Sequence, residues 1–252
     1  MIDYGKFDVI QLKAGHLRFI GRQRGGISPS EIEGRLGLEG RPYILANAGF
    51  FDLGNLNPIC PAAVNGGATI QDPSPPVQRY ESNYVKVAGD DKSYIHTGPP
   101  LPMTGNISFR HPKWTYVVTT PTGRHRLHDQ VYMLGSLAHA SVPKERLGLV
   151  KMRNGDYYLF VYTARDSRFG KNVRGFRDLM ELWFESGFHA TAFSPEDVLQ
   201  SVNLDGGASI HVSWTDGNGA IKRIAKGHVR GEIPTESGKR VANLVQIFPS
   251  ST

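Results

Sequence analysis

Asp205 enters a glycine turn straight from an apolar run, in Asn203-Leu204-Asp205-Gly206-Gly207-Ala208-Ser209. Val202-Asn203-Leu204 alternates apolar and polar side chains, and Ile210-His211-Val212-Ser213-Trp214 resumes the alternation, so the acid is expected at a strand end. Two consecutive glycines admit positive φ and leave the space above the backbone open, letting a ligand approach the carboxylate and the neighbouring N–H groups. An ordinary Asp-Gly hairpin turn fits the same residues. Two further segments place polar groups where a strand meets a loop: Asn47-Ala48-Gly49-Phe50-Phe51-Asp52 and the Ala164-Arg165 end of a second apolar run. Carboxylates, carboxamides and a guanidinium carried on strand ends are groups suited to acid–base or nucleophilic work on an anionic ligand.

The elements that must position these residues read mostly as strands. A hairpin is expected from Phe7 to Leu12 and Leu17 to Ile20 around Lys13-Ala14-Gly15. A short helix follows, with Ser28 as N-cap, Pro29 at the first helical position, Glu31 completing a capping box, and Gly37 or Gly40 at the end. Pro42 to Ala46 reads as a buried strand. Leu147 to Met152 and Tyr157 to Thr163 form the strongest hairpin pattern, with Asn154-Gly155 as a type I′ turn. Val173 to Glu185 has the spacing of an amphipathic helix, with Phe176, Leu179, Met180 and Trp183 on one face and Gly187 as C-cap. A helical turn is expected at Ser194 to Asp197, short strands at Tyr84 to Val87 and Thr115 to Thr119, and a closing strand from Val241 to Phe248. Proline-rich stretches at Asp72 to Pro76 and Gly98 to Pro102 read as loops. The expected fold is α+β: a single domain over residues 1–252, with a mixed, mostly antiparallel sheet core, few flanking helices and long loops.

With 39% hydrophobic and 21% charged residues, the chain has the composition of a soluble globular protein, and no apolar stretch reaches membrane-spanning length. The N-terminal residues lack the pattern of a signal peptide, so the expectation is a cytoplasmic protein or a mature secreted form. The single cysteine, Cys60, excludes an intramolecular disulfide and sits in an apolar context that fits an inert buried thiol. A formal net charge of +6 favours an anionic partner such as a phosphorylated substrate, nucleic acid or an acidic surface, and charge alone does not choose among them. The basic residues are scattered and form no run or aromatic-basic pattern, which argues against nucleic acid. His125-Arg126-Leu127-His128-Asp129 has neither the spacing nor the intervening glutamate of a zinc protease helix. No cofactor is assigned; Asp and Asn oxygens near the turn are of the type that holds a hard cation such as calcium. Oligomeric state is unspecified.

Taken in order, the motifs resemble the phosphodiester glycosidase family. That family has an Asn-x-Gly-Phe-Phe-Asp segment, a hairpin ending in a Gly-Arg type dipeptide, an amphipathic helix, a Leu-Asp-Gly-Gly-Gly-Ser-Ser turn and a closing Arg-x-x-x-Asn strand. Asn47 to Asp52 match the first, Arg165 the second, Arg174 to Gly187 the helix, Leu204 to Ser209 the turn, and Arg240 with Asn243 the last. Ala208 replaces the third glycine, Ile210 follows Ser209 where a second small polar residue is common, and His189 to Gln200 extend a connection that is shorter in the family.

The resemblance implies an anionic sugar phosphate, a nucleotide-like small molecule or a glycan as partner, and hydrolysis of a glycosidic bond to phosphate, through an oxocarbenium-like state that wants a carboxylate near the anomeric carbon. Asp205 is then nucleophile or base, and Asp52 a general acid or base or a brace for its loop. Arg165 and Arg240 clamp phosphate oxygens, Asn47 and Asn203 orient sugar hydroxyls, and the Gly206-Gly207 amides, beside Ser209, meet the anionic oxygen. A second reading is a protein that sequesters a nucleotide or phosphosugar on the same scaffold without turnover, motivated by Ala208 and the segment 189–200.

Overall fold

The computed structural model describes residues 5–21, 26–38, 40–49, 51, 56, 62–64, 69–71, 107–109, 134–135, 142–164, 169–186, 198–226 and 239–249. In chain order these form β1 (Gly5–Leu12), β2 (Gly15–Gly21), α1 (Pro29–Leu36), β3 (Ile44–Asn47), β4 (Ala62–Val64), β5 (Thr69–Gln71), β6 (Ile107–Phe109) and β7 (Leu134–Gly135). There follow β8 (Arg146–Met152), β9 (Tyr157–Ala164), α2 (Val173–Glu185), β10 (Val198–Leu204), β11 (Ile210–Thr215), β12 (Ile221–Lys226) and β13 (Asn243–Pro249). Two five-stranded sheets dominate, in the orders β1-β9-β8-β10-β7 and β12-β11-β3-β13-β2, beside a three-stranded sheet β5-β4-β6. All pairings are antiparallel except β10 with β7. The fold is α+β and mostly sheet. Among the described residues no helix is long and apolar enough to cross a membrane.

Strand alternation explains the layering. Leu147 and Leu149 of β8, Leu159 and Val161 of β9, Ile44 and Ala46 of β3, Ile210 and Val212 of β11, and Val245 and Ile247 of β13 join one buried cluster drawn from both large sheets. The opposite faces are covered too. Val150, Met152, Tyr158, Phe160 and Tyr162 pack under Phe176, Met180 and Phe184 of α2, while Tyr43, Leu45 and Leu244 pack with Ile32 and Leu36 of α1. The order is therefore helix, sheet, sheet, helix, and β8 and β9 are buried along their whole length. Gly148 is part of this fit, since a Cβ there would sit 3.0 Å from Phe176 Cε1.

α2 spans the expected residues, capped by Asn172, whose side chain accepts from Gly175 N at 2.7 Å. It ends at Ser186, whose N–H returns to Leu182 O at 2.9 Å; Gly187 lies outside the described residues. The capping box of α1 is absent: the Ser28 hydroxyl meets that of Ser30 at 3.0 Å, and no side-chain cap bond forms. Gly37, at φ 54°, ends this helix.

Two turns differ from expectation. β1 and β2 are not a hairpin, because β1 pairs with β9 and β2 with β13 in the other sheet. Ala14 at φ 45° folds the chain between layers, and a Cβ on Gly15 would crowd Leu12, Ile247 and Tyr157. The β8–β9 hairpin does form, but Asn154 lacks the positive φ a type I′ turn needs. Gly155 N donates to Met152 O at 3.1 Å and Gly155 takes φ 98°, so Arg153-Asn154-Gly155 is a three-residue loop. The Asn154 side chain favours it by accepting from Asp156 N at 2.9 Å. Val241 belongs to an isolated bridge with Ile27, so the last strand starts at Asn243. The expectations at 72–76, 84–87, 98–102, 115–119 and 194–197, and at Cys60, lie outside the described residues.

Lys151 seals the end of the sandwich where β1 passes into β2. It is 4% exposed, and its ammonium donates to Gly155 O at 2.8 Å and to Gly15 O at 3.4 Å, 3.9 Å from the Tyr157 ring centroid. Burial pushes it down from 10.5 to about 8, with the Asp156 charge opposing. The unfolded chain then holds more protons at this site between those values, so stability rises with pH there. Burial of the Tyr157 and Tyr158 phenols acts in the opposite sense above about pH 10. Urea unfolding should therefore show stability rising from pH 8 to 9.5 by up to about 1.4 kcal/mol per pH unit, and Lys151→Met should flatten that rise. An unchanged slope in the variant would show that another group titrates.

Candidate active site

Asp205 lies on a crossing between layers. β10 ends at Leu204 in one large sheet and β11 begins at Ile210 in the other, which excludes the Asp-Gly hairpin. Leu204 and Ile210 anchor both ends of the crossing in the central core. At the crossing, three strand ends meet. Asp205 N donates to Ala48 O at 2.9 Å, Ala48 N to Asn243 O at 3.1 Å, and Gly49 N to the Asn243 side chain at 2.6 Å.

The Asn47 carboxamide is committed to the protein. Its Nδ2 donates to Asp205 O at 2.7 Å and its Oδ1 accepts from His211 N at 3.0 Å, so one buried side chain holds both ends of the 205–211 connection. It acts as a staple across the connection. His211 is pinned in turn on the outer face of its sheet, where Nε2 lies 2.9 Å from Glu33 Oε1. The other Glu33 oxygen accepts from Arg223 Nε at 2.9 Å and Nη2 at 2.8 Å. Although burial raises the Glu33 carboxyl, the hydrogen bonds with His211 and Arg223 help to outweigh it and hold it at about 2.

The two glycines have different jobs. A Cβ on Gly206 would run into the carbonyl oxygen of Glu145, whereas Gly207 sits at φ 58° with nothing within 4 Å of the same position. Gly207 N donates to Glu145 O at 3.1 Å, and the Gly206 N–H is drawn to the Asp205 carboxylate. The expected amide cradle for an anion is thus spent inside the protein. Ser209 is buried and its hydroxyl hydrogen-bonds the Asp205 carboxyl.

Desolvation dominates the chemistry of Asp205. The residue keeps partial exposure, yet burial of the carboxyl raises it from 3.8 to about 7, against the Ser209 hydroxyl, Lys239, the Gly206 N–H and Arg146. Arg146 is almost fully buried, with Nε on Lys171 O at 2.7 Å and Nη2 on Val142 O at 2.6 Å. Burial pulls it down to about 10, with Asp205 opposing. Glu145 is buried alongside, its Oε1 accepting from Ala164 N at 3.2 Å.

Lys239, Glu145 and Arg146 were not expected at the site. For Lys239 a signal exists: it stands four residues before Asn243, so the Arg-x-x-x-Asn spacing falls on Lys239 and not on Arg240. Arg240 donates to Gly26 O at 2.9 Å and its Nη1 lies 3.8 Å from Glu31, on the α1 side of the molecule. Asn203 is buried in β10, opposite Gly148 and Gly135. Phe51 is a core residue, and Asp52, Arg165 and His125 to Asp129 lie outside the described residues. Among the described residues no three His, Cys, Asp or Glu side chains gather as a metal site.

Fold and site together define a two-sheet α+β protein with a desolvated carboxylate on a sheet-to-sheet crossing. No family model and no curated protein sequence matches the chain. A distant structural likeness connects it to the zebrafish N-acetylglucosamine-1-phosphodiester alpha-N-acetylglucosaminidase catalytic domain auto-inhibited by its pro-peptide, at 10% identity and a TM-score of 0.47, over 98% of this chain and 84% of that one. A hypothetical protein from Synechocystis is similar at 14% identity and a TM-score of 0.46, over 99% of this chain and 61% of that one. Likenesses this remote give no residue a role.

The two glycines can be told apart by substitution. Gly206→Ala should cost about 2–3 kcal/mol, because the Glu145 carbonyl is backbone and cannot swing away. Gly207→Ala should cost only about 1–2 kcal/mol, the penalty for an L residue in the left-handed region. Equal losses in denaturant unfolding would contradict the close approach at Gly206.

Proposed function

We propose that this protein hydrolyses a glycosidic bond to phosphate, in a sugar phosphodiester or a related phosphorylated glycoside or nucleotide, with Asp205 as nucleophile or base. The observation that carries the reading is Asp205 at the crossing between sheets, a partly exposed residue whose desolvated carboxyl is raised to about 7 against the charges of Lys239 and Arg146. The ordered motifs from Asn47 to Asn243 support it. Cleavage of a glycosyl phosphate builds positive charge on the sugar ring and negative charge on the departing phosphate. A carboxylate offered to the anomeric carbon stabilises the first, and nearby cations stabilise the second. Phosphate needs little protonation to leave, so charge neutralisation matters more than a strong acid. A carboxyl that titrates near neutrality is both basic enough to react and ionised in a large fraction of molecules. Asp52 is the second carboxylate of the proposed set. Sequestration without turnover is the second reading, favoured by Ala208 and the segment 189–200.

One experiment separates the two. Incubation with a panel of sugar 1-phosphodiesters, read by mass spectrometry for free sugar, should show turnover that rises with pH and is half-maximal near 7. Asp205→Asn should lower kcat at least about a hundredfold. Tight binding with unchanged ligand favours sequestration, and full activity in Asp205→Asn would sink the assigned role. Stability gives an independent sign. Because the folded value is the higher one, the contribution of protonated Asp205 is present below about pH 4 and is lost as pH rises through about 7. Asp205→Asn should therefore be the more stable protein at pH 8.

A further inference from the structure

The geometry points to Glu145 as the positioning residue of the site: its carbonyl braces the glycine turn that carries Asp205, and its carboxylate ties that brace to the end of β9. This rests on the glycosyl-phosphate reading. Leu147 pairs with Leu204 of β10 and Arg146 with Tyr162 of β9, so each register, continued by two residues, sets Glu145 opposite Gly206 and Lys144 opposite Ala164. Neither ladder continues in the regular way. Lys144 turns to Lys171, its N donating to Lys171 O at 3.0 Å and its carbonyl accepting from Lys171 N at 2.8 Å, so that carbonyl is spent away from Ala164. The Glu145 carboxylate takes its place, Oε1 accepting from Ala164 N at 3.2 Å. On the other side β10 has begun its crossing, and the Glu145 carbonyl follows it by accepting from Gly207 N at 3.1 Å.

The fit at the turn is close. A Cβ on Gly206 would collide with the same carbonyl oxygen, so the turn rests directly against Glu145. Asp205 is therefore gripped from both large sheets. Asn47 and Ala48 of one sheet side hold its backbone O and N at 2.7 and 2.9 Å, while Glu145, at the head of β8, fixes the two residues that follow it. Glu145 lies one residue before β8 begins, and its buried side-chain bond to β9 is a tether that sets where its carbonyl sits. Reach matters at such a position, because a carboxylate offered to an anomeric carbon acts through its placement. The role needs arm length and an acceptor oxygen, not charge. Glutamine keeps both, whereas aspartate keeps the charge and is one methylene short.

The test uses the full chain and three substitutions. Carbon NMR should find the Asp205 carboxyl titrating as in wild type in Glu145→Gln and at lower pH in Glu145→Asp, where the loosened turn admits water and relieves the desolvation that dominates this group. Lys151→Met, which removes hydrogen bonds at the opposite end of β8, should leave that titration unmoved. On a sugar phosphodiester, Glu145→Asp should lose about ten- to a hundredfold in kcat with little change in KM, and Glu145→Gln should keep the wild-type kcat. Native-state hydrogen exchange of the unaltered protein should give the Ala164 and Gly207 amides one shared protection, since one residue holds both. An Asp205 titration that stays put in Glu145→Asp, or that moves as far in Glu145→Gln or Lys151→Met, overturns the assignment, as does separate exchange of the two amides. Should Glu145→Asp not fold, Glu145→Gln and the two amides decide alone. Absence of turnover on every phosphodiester, with the titration and exchange results intact, defeats the hydrolase reading and leaves Glu145 as the brace of Asp205.

Discussion

The Asn47 carboxamide is the interaction on which this arrangement depends. Strand pairing cannot satisfy the backbone where a chain leaves one sheet and enters another. The crossing at Asp205 strands a carbonyl at its start and an N–H at its end, beside a packed core. Asn47 takes both, and each would cost about 1–3 kcal/mol if left buried and unpaired. The staple is itself fixed, because Asn47 ends β3, whose neighbours β11 and β13 hold it on either side. The Glu33–His211 pair then secures the far side of the same strand.

Layering explains why the polar groups collect where they do. With β8 and β9 covered on both faces, side chains along them have no solvent to reach, and charge emerges at strand ends. Two carboxylates show the alternatives open to such groups. Glu33 is met by His211 and Arg223 and is held at about 2, the pattern of a structural ion pair that stays charged. Asp205 receives a hydroxyl and one N–H and feels two cations, but those do not offset its desolvation, and it rises to about 7. Environments that push two acids this far apart distinguish the one that holds the fold from the one able to exchange a proton near neutral pH.

Local signals in the sequence were legible where local physics decides. The period of α2, the apolar run of β3 and the β8–β9 pairing follow from residue spacing, and the structure has all three. Partner choice between distant strands was not legible. β1 and β2 look like a hairpin because their patterns are contiguous, yet each pairs with a strand more than a hundred residues away in sequence. The same limit hid the crossing at Asp205. Asn47 and Gly206 were legible by residue type and not by partner: an asparagine at a strand exit reads as a ligand contact, and a glycine as freedom of φ. One proves to be a staple, and the other is required by the approach of the Glu145 backbone. Arg146 gave no signal, since a charged residue opening a buried strand looks solvated until its carbonyl partners are known.

The chain passes directly between the two large sheets twice within the described residues, and the contrast between the passages bears on function. At β1 to β2 the crossing is sealed: a Cβ on Gly15 would meet three apolar side chains, and the Lys151 ammonium occupies the local carbonyls. At β10 to β11, the other end of β8, the space over Gly207 is open and the Asp205 carboxyl is raised by its desolvation. The same topological problem has been solved once for stability alone, which shows that packing and pairing could have closed the second passage as well. An open glycine beside a desolvated acid costs stability that the sealed passage does not pay. That cost is intelligible if a ligand completes the second site, with the acid at its floor.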